Sequence, residues 1–183
     1  RSFDKSDGLP SNFFHDGSGW MSPEGWLFMG SYEGLCFFST AQIKEYQHAP
    51  KVVFSGLKIF NQPVAVGKNP AGKTVLNKDI NFVEHITLPY SDNVFSIQFA
   101  ALDFQEPGKN RYAWRLRGFH NEWVEVDAEN REAHFTNLSE GEYTLEVKAA
   151  NHDGVWSETP KQLKICIQPP FYRTYWAYLF YVL

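Results

Sequence analysis

The chain has 183 residues, enough for one good core, or for a domain of about 120 residues plus a further piece. Its formal net charge is -4 with 21% charged residues, which argues against the extended basic footprint of a nucleic-acid binder. Aromatics reach 17%, a share that favours strands.

The two cysteines, Cys36 and Cys166, are far apart in sequence and too few for a disulfide framework, so both are expected as free thiols. The first ten residues, "RSFDKSDGLP", lack the apolar core of a signal peptide. The chain therefore reads either as cytosolic or as a piece of something longer, and its two ends favour the second.

Residues 7–40 read as short strands split by glycine. A turn is expected at Met21-Ser-Pro-Glu-Gly25 and another at Gly30-Ser-Tyr-Glu-Gly34, with apolar runs at 26–29 and 35–38. Two or three such strands cannot bury both faces alone. As one blade of a radially repeated sheet they make sense.

From Lys51 the strands lengthen and alternate. Phe95, Ile97, Phe99 and Ala101 fall on one face, with Ser96 and Gln98 on the other. Tyr112, Trp114 and Leu116 oppose Arg111, Arg115 and Arg117, and Tyr143, Leu145, Val147 and Ala149 oppose Glu142, Thr144, Glu146 and Lys148. Leu163, Ile165 and Ile167 continue the pattern against Gln162, Lys164 and Cys166. Period two with turn signals between predicts antiparallel sheet with one wet face. With "VVFSGLKIF", "HITL" and "EAHFTNL", residues 51–168 hold roughly seven strands, the count of a β-sandwich. Leu138, Gly141, Tyr143 and Val147 fit a tyrosine corner, in which a Tyr near the start of a strand bonds back to upstream backbone. Without a Cys–Trp–Cys pattern the sandwich is fibronectin-III/immunoglobulin-like rather than a true immunoglobulin domain.

Candidate chemistry is sparse. His15, His48, His85, His120, His134 and His152 are scattered singly, each expected on the surface or in a turn, and no metal or cofactor is expected. Gly67, Gly72, Lys73 and Thr74 match the phosphate-loop spacing literally. The flanks fail, with Pro70 inside and β-branched residues where a helix should start, so a hairpin loop is expected. Glu122, Glu125, Asp127, Glu129 and Glu132 crowd one stretch without calcium-loop spacing, and a solvated loop is expected there. Asn137-Leu-Ser fits a glycosylation acceptor, which matters only in a eukaryotic secretory setting. Trp114, Trp123 and Trp156 could form a sugar-stacking platform, with packing as the competing reading, strongest for Trp114 on the apolar face.

The stretch "NRYAWRLRGFHNEWVEVDAENREAHFTNLSEGEYTLEVKAANHDGVWSE" resembles the Y_Y_Y domain, the sandwich that follows the propeller in two-component-regulator propeller sensors. Its signature positions here are Tyr112, Trp114, Trp123, Tyr143 and Trp156, and the resemblance extends over residues 51–178. Trp114 and Phe135 stand where the family more often has Tyr, which keeps a ring and loses a hydroxyl. Residues 1–50 are similar to the last blade of the propeller, opened by Gly-Leu-Pro-Ser-Asn.

The resemblance implies an all-β architecture in three parts: a partial β-propeller blade at 1–50, an antiparallel β-sandwich at 51–168, and a juxtamembrane segment with the start of a transmembrane helix at 169–183. It implies a non-catalytic sensor module outside a bacterial inner membrane, in a single-pass protein. A homodimer through the sandwich, the rest of the propeller and the membrane are the implied partners, with no nucleic acid. The ligand residues stay unknown, and a carbohydrate is the ligand class to test. Pro169, Pro170, Phe171, Tyr172 and Trp176 are the expected relay residues: the prolines end the last strand, and the rings suit the headgroup level. The run 175–183 would then begin a membrane span. A histidine kinase, a hybrid kinase or a diguanylate cyclase would suit as output, and "REAHFTNL" leans towards cyclase-linked versions. The alternative is a carbohydrate-binding or accessory module of an exported enzyme, using Trp123 or Trp156.

Overall fold

The computed structural model describes residues 3–43, 46–68, 74–170 and 172. The chain divides into two compact units, Arg1–Gln47 and His48–Leu183. Among the described residues the only helices are short 3-10 turns.

The first unit is a meander of β1 (Gly19–Met21), β2 (Trp26–Ser31) and β3 (Gly34–Ser39), paired antiparallel in that order. The glycine-marked turns fall where the sequence sets them. Trp20, Phe28 and Phe37 line up across the strands, with ring centroids 5.5 and 5.8 Å apart, and Trp26 lies 6.0 Å from Phe37. This row stays in solvent: Trp20 is 59% and Phe37 58% exposed. Leu27, Met29 and Phe38 alternate to the opposite face and are half-buried, so the sheet carries apolar side chains on both sides.

The second unit is a β-sandwich. Its strands are β4 (Val52–Ile59), β5 (Gln62–Pro63), β6 (Gly67–Lys68), β7 (Thr74–Leu76), β8 (His85–Leu88), β9 (Val94–Ala101), β10 (Arg111–Arg117), β11 (His120–Val126), β12 (Glu132–Thr136), β13 (Gly141–Ala150) and β14 (Lys161–Ile167). One sheet has the order β11-β10-β13-β14-β8 and the other β12-β9-β4-β5, with β6-β7 as a separate ribbon. Alternation places the core. Phe54, Leu57, Ile97, Phe99, Tyr112, Leu116, Leu145, Leu163 and Ile165 are each 2% exposed or less and form one cluster. At about 1.5–3 kcal/mol for each large apolar side chain fully buried, this cluster is the main stabilising term.

Two features depart from the sequence reading. The ladder between β14 and β8 is parallel, Ile165 beside Ile86 and Ile167 beside Leu88. The direction of β8 follows from its neighbours in sequence: it ends where β9, in the other sheet, must begin. In addition, residues 120–126 are a strand rather than a solvated loop. There the half-buried Val124 and Val126 pair with Trp114 and Tyr112 of β10, and Trp123 lies at the bulge between Trp114 and Leu116. Glu122 and Glu125 are the solvent-facing charges of an edge strand, which protect such an edge from further pairing.

Register also fixes two ends. The chain comes in at β4, where Val52 pairs with Ala101, and the 102–110 segment and the 151–157 turn lie at that same inlet end. The chain leaves after β14, where Ile167 pairs with Gly141 beside the 137–140 turn, at the opposite, outlet end. Eight residues of β4 make this length about 25 Å.

Candidate functional site

At the outlet end the tyrosine corner is formed. The Tyr143 hydroxyl donates to the Ser139 carbonyl at 3.1 Å, and Leu138 beneath it is 1% exposed. The last strand is extended by one bond, from the Gln168 amide to the Leu88 carbonyl at 2.9 Å. Pro169 follows, and having no N–H it cannot lengthen the ladder. Pro169 is exposed, Pro170 is buried and Tyr172 is 44% exposed. Phe171, Trp176 and the expected span start at 175–183 lie outside the described residues. Among the described residues no helix is long and apolar enough to cross a membrane.

The signature residues divide by role. Tyr112 is fully buried against Phe99, and its hydroxyl oxygen accepts from the Ala101 amide at 3.1 Å. Trp114 sits edge-on to Phe135, centroids 5.6 Å apart, and its buried indole Nε1 has no hydrogen-bond partner among the described residues. Packing is kept at these two positions and the hydrogen bond is not, and Trp114 is core rather than platform. Trp123 and Trp156, by contrast, converge on the outer face of the five-stranded sheet. The Lys148 ammonium lies 4.6 Å from the Trp123 ring centre and 4.8 Å from that of Trp156, while Arg115 lies 4.5 Å from Trp123.

Beside them Glu146, only 2% exposed, takes Arg115 at 2.7 Å, Arg117 at 3.4 Å and the Gln162 amide at 3.0 Å. The alternating pattern put Glu146 on a wet face. In the fold that face is roofed by its own long side chains, because cross-strand register sets two guanidiniums over one carboxylate. The pattern had assigned Arg115, Glu146 and Lys148 to a solvent face, but only the register brings them to the tryptophans.

On the other sheet, Glu132 accepts from Ser96 and Lys58 across β12, β9 and β4. Burial alone would raise its carboxyl, but the Ser96 hydroxyl, the Lys58 ammonium and the charge of His134 outweigh it and hold the group below the usual carboxylate range.

His152 lies in a turn, one of the two places expected for it, but its side chain faces inward. Its side chain is 4% exposed, near the inlet end, with Nε2 3.5 Å from Asp153 and 3.8 Å from Glu106, and Nδ1 4.0 Å from Asp103. It is an interior histidine because the turn after β13 folds it back towards the segment after β9. Among the described residues no group of three His, Cys, Asp or Glu is arranged to hold a metal ion. Cys36 and Cys166 are free and half-buried. The phosphate-loop match is flanked by an antiparallel ribbon, Gly67 opposite Leu76 and Lys68 opposite Thr74, and not by a parallel strand and helix. Its residues 69–73 lie outside the described residues.

Residues 103–168 match the Y_Y_Y domain family. The match begins later than the resemblance seen in sequence. It covers β10 to β14, although β4, β8 and β9 supply Phe54, Leu57, Ile86 and Phe99 to the same core. Across 181 residues the chain is 35% identical to Histidine kinase P4 of Formosa agariphila, covering 99% of this chain and 13% of that protein.

Among solved structures it resembles the extracellular domain of BT3049 from B. thetaiotaomicron, assigned to the hybrid two-component systems. The identity is 27% and the TM-score 0.70, over 91% of this chain and 22% of that one. It also resembles the extracellular domain of BT4673 from the same organism, assigned to a one-component system in one structure and to a hybrid two-component system in another. There the identity is 27% and the TM-score 0.60, over 84% of this chain and 20% of that one. The chain thus spans a small part of each relative.

Proposed function

We propose that this chain is a non-catalytic, extracytoplasmic sensor and relay module of a transmembrane signalling receptor, carrying ligand state from a propeller towards a membrane helix and a cytoplasmic output. The observation that carries the reading is the polarity of the sandwich: the chain comes in at one end and leaves at the other, directly after the Tyr143 corner. A rigid body crossed end to end can pass on a change of position, whereas a module hung from a loop cannot.

The first unit supports the propeller half. A three-stranded sheet apolar on both faces calls for a neighbour on each, which stacked blades supply. The location outside a bacterial inner membrane and the output are read from the relatives, whose names favour a kinase over the cyclase-linked versions. Relay would be a population shift: ligand favours one arrangement of two sandwiches in a homodimer, and Pro169 and Pro170 transmit it rigidly to the following residues, Phe171, Tyr172 and Trp176.

The test is the Pro169→Gly, Pro170→Gly double variant in the full-length protein in membranes. Output activity should no longer follow stimulus, while the 183-residue chain carrying the same changes remains folded and still unfolds cooperatively. Unaltered signalling in the double variant would overturn the relay role.

A further inference from the structure

We propose that the outer face of the five-stranded sheet carries a binding site for an acidic oligosaccharide, built on Trp123, Lys148 and Trp156. This site is independent of the propeller and of the relay reading. Lys148 projects from the middle of the sheet, and both indoles lie within 5 Å of its ammonium. Among the described residues no carboxylate lies within ion-pairing distance of Lys148, so the cation is held by the two ring faces alone.

The charge beside it is also unbalanced. Arg115 and Arg117 share the single carboxylate of Glu146, and the side chain of Arg117 remains 61% exposed. Three cations against one carboxylate form a local positive field in a chain whose net charge is -4.

The ligand that answers this surface has two properties. It carries an anion, to meet Lys148 and the exposed side of Arg117, and a flat face rich in C–H groups, to lie on indole. A uronic acid or sulfated sugar has both on each residue. A neutral sugar leaves Lys148 unanswered, and an acidic peptide brings charge without the flat face. Two rings around one ammonium also suit neighbouring sugars of a chain better than a single small anion.

The site is tested by titrating the 183-residue chain, following tryptophan fluorescence and heat, with hexagalacturonate, a carrageenan hexasaccharide, cellohexaose and oligoglutamate. The expected result is saturable binding of the uronate or the sulfated oligomer, whichever binds naming the acid, with affinity falling as salt is raised. Lys148→Gln should weaken it at least about tenfold while the chain still unfolds in one cooperative transition, lowered only modestly by the lost ring contacts. Trp156→Ala should do the same, with folding checked by the same transition. The proposal is overturned if neither acidic oligomer binds, if cellohexaose or oligoglutamate binds as tightly, or if Lys148→Gln binds like the parent.

Discussion

Gly118 lies against Tyr143: a Cβ placed on the glycine would sit 3.2 Å from Cδ1 of the tyrosine ring and 3.1 Å from the Glu142 carbonyl oxygen. Its φ of +94° belongs to the left-handed region that favours glycine. The turn between β10 and β11 is therefore pressed onto the corner that precedes the outlet. Gly118→Ala should cost about 1–3 kcal/mol, from backbone strain and a contact with backbone that cannot yield. Urea unfolding of the two proteins measures it, and an unchanged midpoint would refute the close approach.

Removing the corner bond is a milder change. Tyr143→Phe keeps the ring and leaves the Ser139 carbonyl, at a partly exposed turn, to water. A loss of about 0.5–1.5 kcal/mol is expected, with the near-ultraviolet spectrum retained. A loss well beyond that range would mean that the hydroxyl holds more than the one carbonyl.

Glu132 gives the sandwich an acid dependence whose sign is fixed. Its folded carboxyl lies below its ordinary value, so its contribution is fully present above the unfolded value of about 4.3 and fades as pH falls towards the folded one. The stability difference between the parent and Glu132→Gln should stay constant near neutrality and shrink below about pH 4.5. Thermal unfolding at stepped pH reads this directly. A difference that grew in acid would contradict the assignment.

The two units should differ when separated. Residues 48–183 contain the whole buried cluster and are expected to unfold cooperatively on their own. Residues 1–47 leave Trp20 and Phe37 more than half exposed and should show no cooperative transition. A sharp transition in the short fragment would remove the need for neighbouring blades.

Much of this was legible in the chain because period-two alternation is a local signal. Tyr112, Leu116, Leu145, Leu163 and Ile165 were assigned to the core face by it, and all are buried. The tyrosine corner was readable for the same reason, since Ser139 and Tyr143 are four residues apart. What escaped depends on register between strands distant in sequence. Nothing local sets Trp123 and Trp156 around Lys148, places two arginines on Glu146, or turns His152 inward. The β11 strand was hidden by composition, since an edge strand needs charges and a loop has them too.

The central claim is that this sandwich stands between a propeller and a membrane-anchored output. Sequencing the parent gene on both sides of the segment tests it most directly. The account predicts further propeller repeats upstream, and downstream of Leu183 about ten more apolar residues followed by a cytoplasmic signalling domain. A stop codon or another water-soluble module directly after Leu183 would contradict it.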